Sequence, residues 1–72
     1  MELDSKIFGE FYRYTVYCND GKIFKGYFHL LNNDYLYLSH RRKKEDSMKI
    51  NLNSIEKIEH ANKLNGGVVY QR

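Results

Sequence analysis

The chain has no proline, no tryptophan and a single cysteine. Without proline, nothing removes backbone donors from an exposed strand edge, so such an edge is open to pairing, with another subunit as one partner. The lone Cys18 cannot close an internal disulfide. There is no secretory apolar segment and no long apolar run, so the expected setting is soluble, intracellular and cytoplasmic, with no membrane contact. His29, His40 and His60 are scattered, and no Cys or carboxylate stands at ligand spacing around them, so no metal site is expected. Cys18 has no signposted base, and Asp20-Gly21 is not followed by a helix that would make it a phosphate loop. The expectation is therefore a protein with no catalytic residues and no cofactor.

What is present is one short domain spanning residues 1–72, with a core over about 10–60 and a C-terminal extension over 61–72. Seventy-two residues lie near the size at which one core barely suffices, and oligomerisation is a common supplement. Seven Tyr and four Phe favour strands. The net charge of +3 permits contact with nucleic acid or an acidic partner without demanding it. Abundant Lys, Asn, Ile and Tyr fit an AT-rich coding sequence, as in phages.

The organising stretch is Tyr14 to Leu38. Asn19-Asp20-Gly21 and Asn32-Asn33-Asp34 read as tight turns between three strands, because Gly accepts positive φ and Asn or Asp bonds its own backbone. Phe24, Gly26 and Phe28 recur at period two, and Gly26 marks a bend or a close backbone approach. The strands expected are Glu10–Cys18, with Tyr12, Tyr14, Val16 and Cys18 on one face, then Lys22–Leu31 and Tyr35–Arg41. Met48, Ile50 and Leu52 alternate in a fourth. Leu3, Ile7 and Phe8 fit a one- or two-turn helix starting near Asp4 or Ser5. For residues 54–64 two readings stay open. One is a tight turn at Asn53–Glu56 and a fifth strand at Lys57–His60, preferred because it completes a barrel. The other is a helix capped by Asn53 and Glu56. Val68-Val69-Tyr70 offers a final strand after Gly66-Gly67.

Val16, Gly21, Phe24, Gly26, Phe28 and Leu31 carry a resemblance to the Sm and Sm-like family. Its first motif sets a hydrophobic residue five before a turn Gly, another three after it, a second Gly five after, and hydrophobics at seven and ten. Ile50, Ile55 and Ile58 match the apolar part of the second motif, while Asn51-Leu52 replaces its Arg-Gly, and Asn32 stands at the place of an Asp. The resemblance covers about residues 10–60. It implies an all-β, five-stranded, bent antiparallel small barrel of Sm-like (SH3-like) type with a short N-terminal helix. It also implies a divergent bacterial or phage member that binds single-stranded RNA as a homo-oligomeric ring, the fourth strand of each subunit pairing with the fifth of the next. RNA would lie at the loops after strands two and four. Carried onto this chain, Tyr35 stacks a base, Asn32, Asn33, Asn51 and Asn53 read base edges, and His40 with Arg41, Arg42, Lys43 and Lys44 supplies the basic contact. Turn formation competes for the asparagines, and a solvated loop for the basic run. The tail LNSIEKIEHANKLNGGVVY also resembles the bacterial Rho-inhibitor family, through Leu52, Ile55, Ile58, His60 and Val68-Val69. DGKIFKG is similar to the C-terminal barrel of the ribosome maturation factor. These imply the alternative, a barrel that docks on a protein partner without binding RNA.

The expected core is Val16, Cys18, Phe24, Phe28, Leu31, Leu36, Leu38, Ile50, Leu52, Ile55 and Ile58.

Overall fold

A computed structural model describes residues 3–9, 12–41, 47–61 and 67–72. The expected start of the first strand at residues 10–11, the run Arg42-Lys43-Lys44 and the reading of residues 62–65 lie outside these. The described chain is all-β. Six strands, β1 (Arg13–Cys18), β2 (Ile23–Leu31), β3 (Tyr35–Ser39), β4 (Ser47–Asn51), β5 (Ile55–His60) and β6 (Val68–Gln71), form one open antiparallel sheet in the order β4-β3-β2-β1-β5-β6. To the five strands expected is added the final strand that Val68-Val69-Tyr70 offered, β6.

The turn chemistry explains the meander. At Asn19–Gly21 the carbonyl of Cys18 accepts from the Gly21 amide at 3.1 Å, and the Cys18 amide donates to Lys22 at 2.9 Å. Gly21 takes φ +90°, so the loop is a three-residue hairpin whose last position needs left-handed backbone. At the next turn Asn32 Oδ1 accepts from the amides of Asp34 (2.8 Å) and Tyr35 (2.7 Å), the local bond that makes Asn a turn residue.

The link from β4 to β5 fixes the curvature. The two strands lie four places apart in sheet order, which in a flat sheet is about 19 Å at the usual strand spacing. Only Leu52–Ser54 joins them, as a 3-10 turn, and even a fully extended chain from Asn51 to Ile55 would reach about 14 Å. The sheet must therefore curl until its far strands approach. Two features let β2 bend. One is Gly26, whose position leaves no room for a side chain against Ser39, and the other is a register shift between Phe28 and Leu30.

Inside the curl lie Tyr14, Val16, Cys18, Leu36, Leu38, Ile50, Ile55, Ile58 and Tyr70, with Phe24, Phe28, Leu31 and Leu52 partly buried against them. Each fully buried Leu or Ile contributes about 1.5–3 kcal/mol relative to exposure. Tyr14 and Tyr70 were not expected in this core. Tyr14 is admitted because its hydroxyl receives the Gly9 amide, so burial strands no polar group.

The N-terminal turn lies where it was expected but is of 3-10 type, and the choice left open after Asn53 falls to the preferred strand, which starts at Ile55 after a turn at Leu52–Ser54. The N-terminal helix is a single 3-10 turn, Ser5–Ile7, capped by Asp4, whose Oδ1 takes the Lys6 amide. The chain becomes extended at Phe8, which stacks on Phe28 (centroids 4.5 Å) and meets Tyr14 edge-on (5.0 Å). The helical reading of the segment after Asn53 gives way to β5, because Ile58 pairs with Val16 on one side and Tyr70 on the other. Tertiary pairing here outweighs a helical stripe. β6 fills the outer edge of β5, the edge that the resemblance reserves for a neighbouring subunit. The open edges are β4 and β6.

Candidate functional site

Three turns and the end of β6 meet at one pole of the sheet. The Leu52 amide donates to the Asp34 carbonyl at 3.0 Å, tying the β4–β5 turn to the β2–β3 turn. The Asn19 amide donates to Ser54 at 2.7 Å and brings in the β1–β2 turn. The Asn53 carbonyl accepts from Asn19 Nδ2 (3.2 Å) and from the Arg72 guanidinium (2.8 Å), and the Arg72 amide bonds the Glu56 carbonyl. Arg72 is thus pinned beside the turns at two points.

A concavity of about 390 Å³ opens there. Asn32, Asn33 and Asn53 supply amides, Arg72 a cation, and Leu3, Leu52 and Tyr70 an apolar lining. A second hollow of about 280 Å³ shares Leu3, Asn32 and Asn33 and ends on Asp4 and Ser5. The groove therefore carries positive charge at Arg72 and negative charge at Asp4. Asn32 spends its side-chain oxygen on its own turn, which leaves its NH2 as the group it can offer a ligand. Asn33, at the tip of the turn, is exposed.

Asn51 is not part of this concavity. Its Oδ1 takes the Asn53 amide at 2.9 Å and caps the Leu52–Ser54 turn. Asn51 lines a separate hollow of about 190 Å³ with Lys22, Lys49 and Asp20. Tyr35 also points elsewhere. Leu36 and Leu38 face the core, so Tyr35 and Tyr37 take the outer face of β3, 6.2 Å apart between centroids. The Lys49 ammonium lies 4.0 Å from the centroid of the Tyr35 ring, a cation–π contact. His40 and Arg41 are exposed at the other end of β3, about 17 Å from Tyr35 at the rise of a strand. The sequence candidates thus divide into an asparagine pole, an aromatic outer face and a basic tip.

Sequence reasoning does not find the residues from the two chain ends. The Val68-Val69-Tyr70 run offers the last strand, but its pairing with β5 and the course of the N-terminal strap, which bring Arg72, Tyr70 and Leu3 to the pole, are not carried by a local pattern. Tyr37 was legible, since it alternates with Tyr35. Lys49 becomes visible only through its register opposite Tyr37.

Nothing in the described residues groups three His, Cys, Asp or Glu side chains about a common point. Burial pushes the Cys18 thiol up, the Asp20 carboxylate adds to this and Lys22 opposes it. Tyr17 donates to Glu59 Oε1 at 2.7 Å, and that hydrogen bond raises the phenol's pKa, with desolvation and the Glu59 charge acting the same way. Lys57 sits 4.7 Å from the Tyr17 ring centroid and 3.8 Å from Glu59, so these three groups satisfy one another. No helix in the described residues is long and apolar enough to cross a membrane.

No protein-family model, no curated protein and no solved structure matches the chain.

Proposed function

We propose that the chain is a non-catalytic, Sm-like RNA-binding barrel that takes single-stranded RNA at the asparagine pole. The observation that carries this reading is the convergence of two turns. The loops after strands two and four, the RNA-facing loops of the family it resembles, are joined by the Leu52–Asp34 bond and share one concavity with Arg72. Amides offer both donors and acceptors to a base edge, and a guanidinium pairs with phosphate. The curl of the sheet supports the barrel, as does the placement of β4 and β5 at the ends of the five-strand set. β6 is an addition outside β5. Self-association in this reading joins β4 of one copy to β6 of the next, since β5 is enclosed.

The test is fluorescence anisotropy with labelled U-rich and A-rich single strands over a salt series. Binding should weaken as salt rises, and Asn33→Ala should reduce it. Arg42→Ala with Lys43→Ala should lower the slope of log K against log salt by about 1.4, near 0.7 for each phosphate that is no longer neutralised. A chain that takes up neither oligonucleotide at physiological salt refutes RNA binding and leaves docking on a protein partner as the better account.

A further inference from the structure

We infer that the outer face of β2, β3 and β4 is a stacking platform for the bases of single-stranded RNA, with Tyr37 as its ring and Lys49 as its phosphate contact. The inference rests on the RNA reading above and adds a second surface to it, on the other side of the sheet from the core.

The platform is a row across three strands. Tyr37 pairs with Leu30 on β2 and with Lys49 on β4, so these side chains stand side by side on one face. Leu30 is 50% exposed, an apolar shelf beside an aromatic ring. Tyr35 has a different part from the one its sequence position implied. The Lys49 ammonium already lies over its ring, so Tyr35 holds the cation and Tyr37 is the ring left to receive a base. An ammonium held over one ring beside a second is the pairing of charge and aromatic surface that single-strand binding uses.

Charge complementarity decides the occupant. No Asp or Glu occurs in β1, β2, β3 or β4; both strand carboxylates, Glu56 and Glu59, belong to β5. Arg13 and Lys25 stand on the same outer face, since their neighbours Tyr14 and Gly26 turn inward, and Lys49 adds a third cation. The carboxylates lie at the margins of this face, Glu59 opposite Thr15 and Asp20 in the hollow that Lys49 lines. Strands β2–β4 themselves present aromatics and cations without a carboxylate, which suits a polyanion whose bases are free to stack, a single strand and not a duplex. The row also bridges the other two groups of candidates. Asn32 opens the turn that leads into Tyr35, and Arg41 follows the far end of β3, so one strand laid along β3 would pass from the asparagine pole over Tyr37 to the basic tip.

The experiment measures anisotropy of a fluorescein-labelled uridine oligomer and adenosine oligomer, each of about ten nucleotides, a length within single-strand site sizes. The proteins are wild type, Tyr37→Leu, Tyr37→Phe, Lys49→Gln and Asn33→Ala, each with its thermal melt recorded. Tyr37→Leu should bind about tenfold more weakly, whereas Tyr37→Phe, which keeps the ring, should stay within about twofold of wild type. Lys49→Gln should reduce the salt slope by about 0.7. Wild-type affinity in Tyr37→Leu, alongside weakened binding by Asn33→Ala, would remove the platform and leave the pole standing. Equal losses in the Leu and Phe variants would overturn stacking in favour of the hydroxyl. A wild type that binds neither oligomer would overturn both surfaces together.

Discussion

Gly26→Ala should destabilise the protein through one close approach. A Cβ at Gly26 would stand 2.6 Å from the Ser39 carbonyl oxygen and 3.2 Å from its carbon, with the Met48 methyl at 3.0 Å. Met48 can turn away, but Ser39 cannot. Its backbone is held between Tyr27 on β2 and Ser47 on β4, so relief requires β3 to move off β2. Overpacking of this kind costs about 1–3 kcal/mol. Alanine recovers about 0.5–1 kcal/mol over glycine within a strand. The net loss is centred on about 1 kcal/mol and reaches about 2.5 kcal/mol, a fall in Tm of about 4–8 °C at the centre and about 20 °C at most for a domain of this size. Gly21 provides the contrast. A Cβ there meets nothing within 4 Å, and the constraint is φ +90° alone. Asn tolerates that backbone better than Ala does. The order of stability should therefore be Asn above Ala at position 21 and Ala above Asn at position 26. Thermal melts of the four variants followed by circular dichroism read this out. A Gly26→Ala protein that melts at or above wild type would refute the close approach, and with it the account of how β2 bends against β3.

Two other consequences concern ionisable groups. Tyr17 is held neutral by its bond to Glu59, so its phenol titrates above its ordinary value of about 10 in the folded protein. The stability it lends is complete below that value and is lost as pH rises through the raised one, because the unfolded chain releases the proton first. The difference in urea midpoint between wild type and Tyr17→Phe should hold constant to about pH 9 and shrink above about pH 10; a difference that persists into stronger alkali would sink the assignment. Cys18, buried and with its thiol pushed up, should be alkylated by iodoacetamide far more slowly in the native protein than in urea. Equal rates would mean that the β1–β5 seam opens readily around it.

Short-range chemistry was the legible part of the sequence. Asp20-Gly21 and Asn32 announced turns because their signals are carried by the turn residues themselves. Val16, Leu36, Leu38 and Ile50 followed from alternation, which a half-buried strand imposes. Tyr14 shared the face of Val16, yet its burial depends on a hydroxyl partner at Gly9, just past the short N-terminal turn, where no residue type signals the contact. Tyr70 is buried because β6 pairs with β5, and that pairing reaches back across the Gly66-Gly67 break. The site divided in the same way. Each asparagine could be placed in a turn from its own neighbours. The meeting of Asn33 with Asn53 and Arg72 is a product of curl, set by a three-residue link that must cross the width of a sheet.

The two open edges differ, and the difference bears on how copies of this chain would meet. β4 contains Lys49, so two β4 edges paired about that residue would set like charges side by side. β6 holds no charge in Val68–Gln71, and Val68 is 48% exposed. An uncharged edge without proline is the kind that accepts another strand. Pairing β4 with β6 of a neighbour therefore avoids the repulsion of β4 with β4, and it is heterologous, so it closes into a ring only if the rotation allows. Such pairing uses backbone groups in the plane of the sheet and leaves the side chains of Leu30, Tyr37 and Lys49 standing clear of it. Assembly and base stacking would then not compete, and the platform of one copy would continue toward the next. Substituting Val68 or Gln71 by Lys should separate the two properties: the mass by light scattering should fall toward the monomer while the weak single-site binding of an oligonucleotide persists. A mass that does not respond to charge placed on β6 would exclude that edge from the interface between copies.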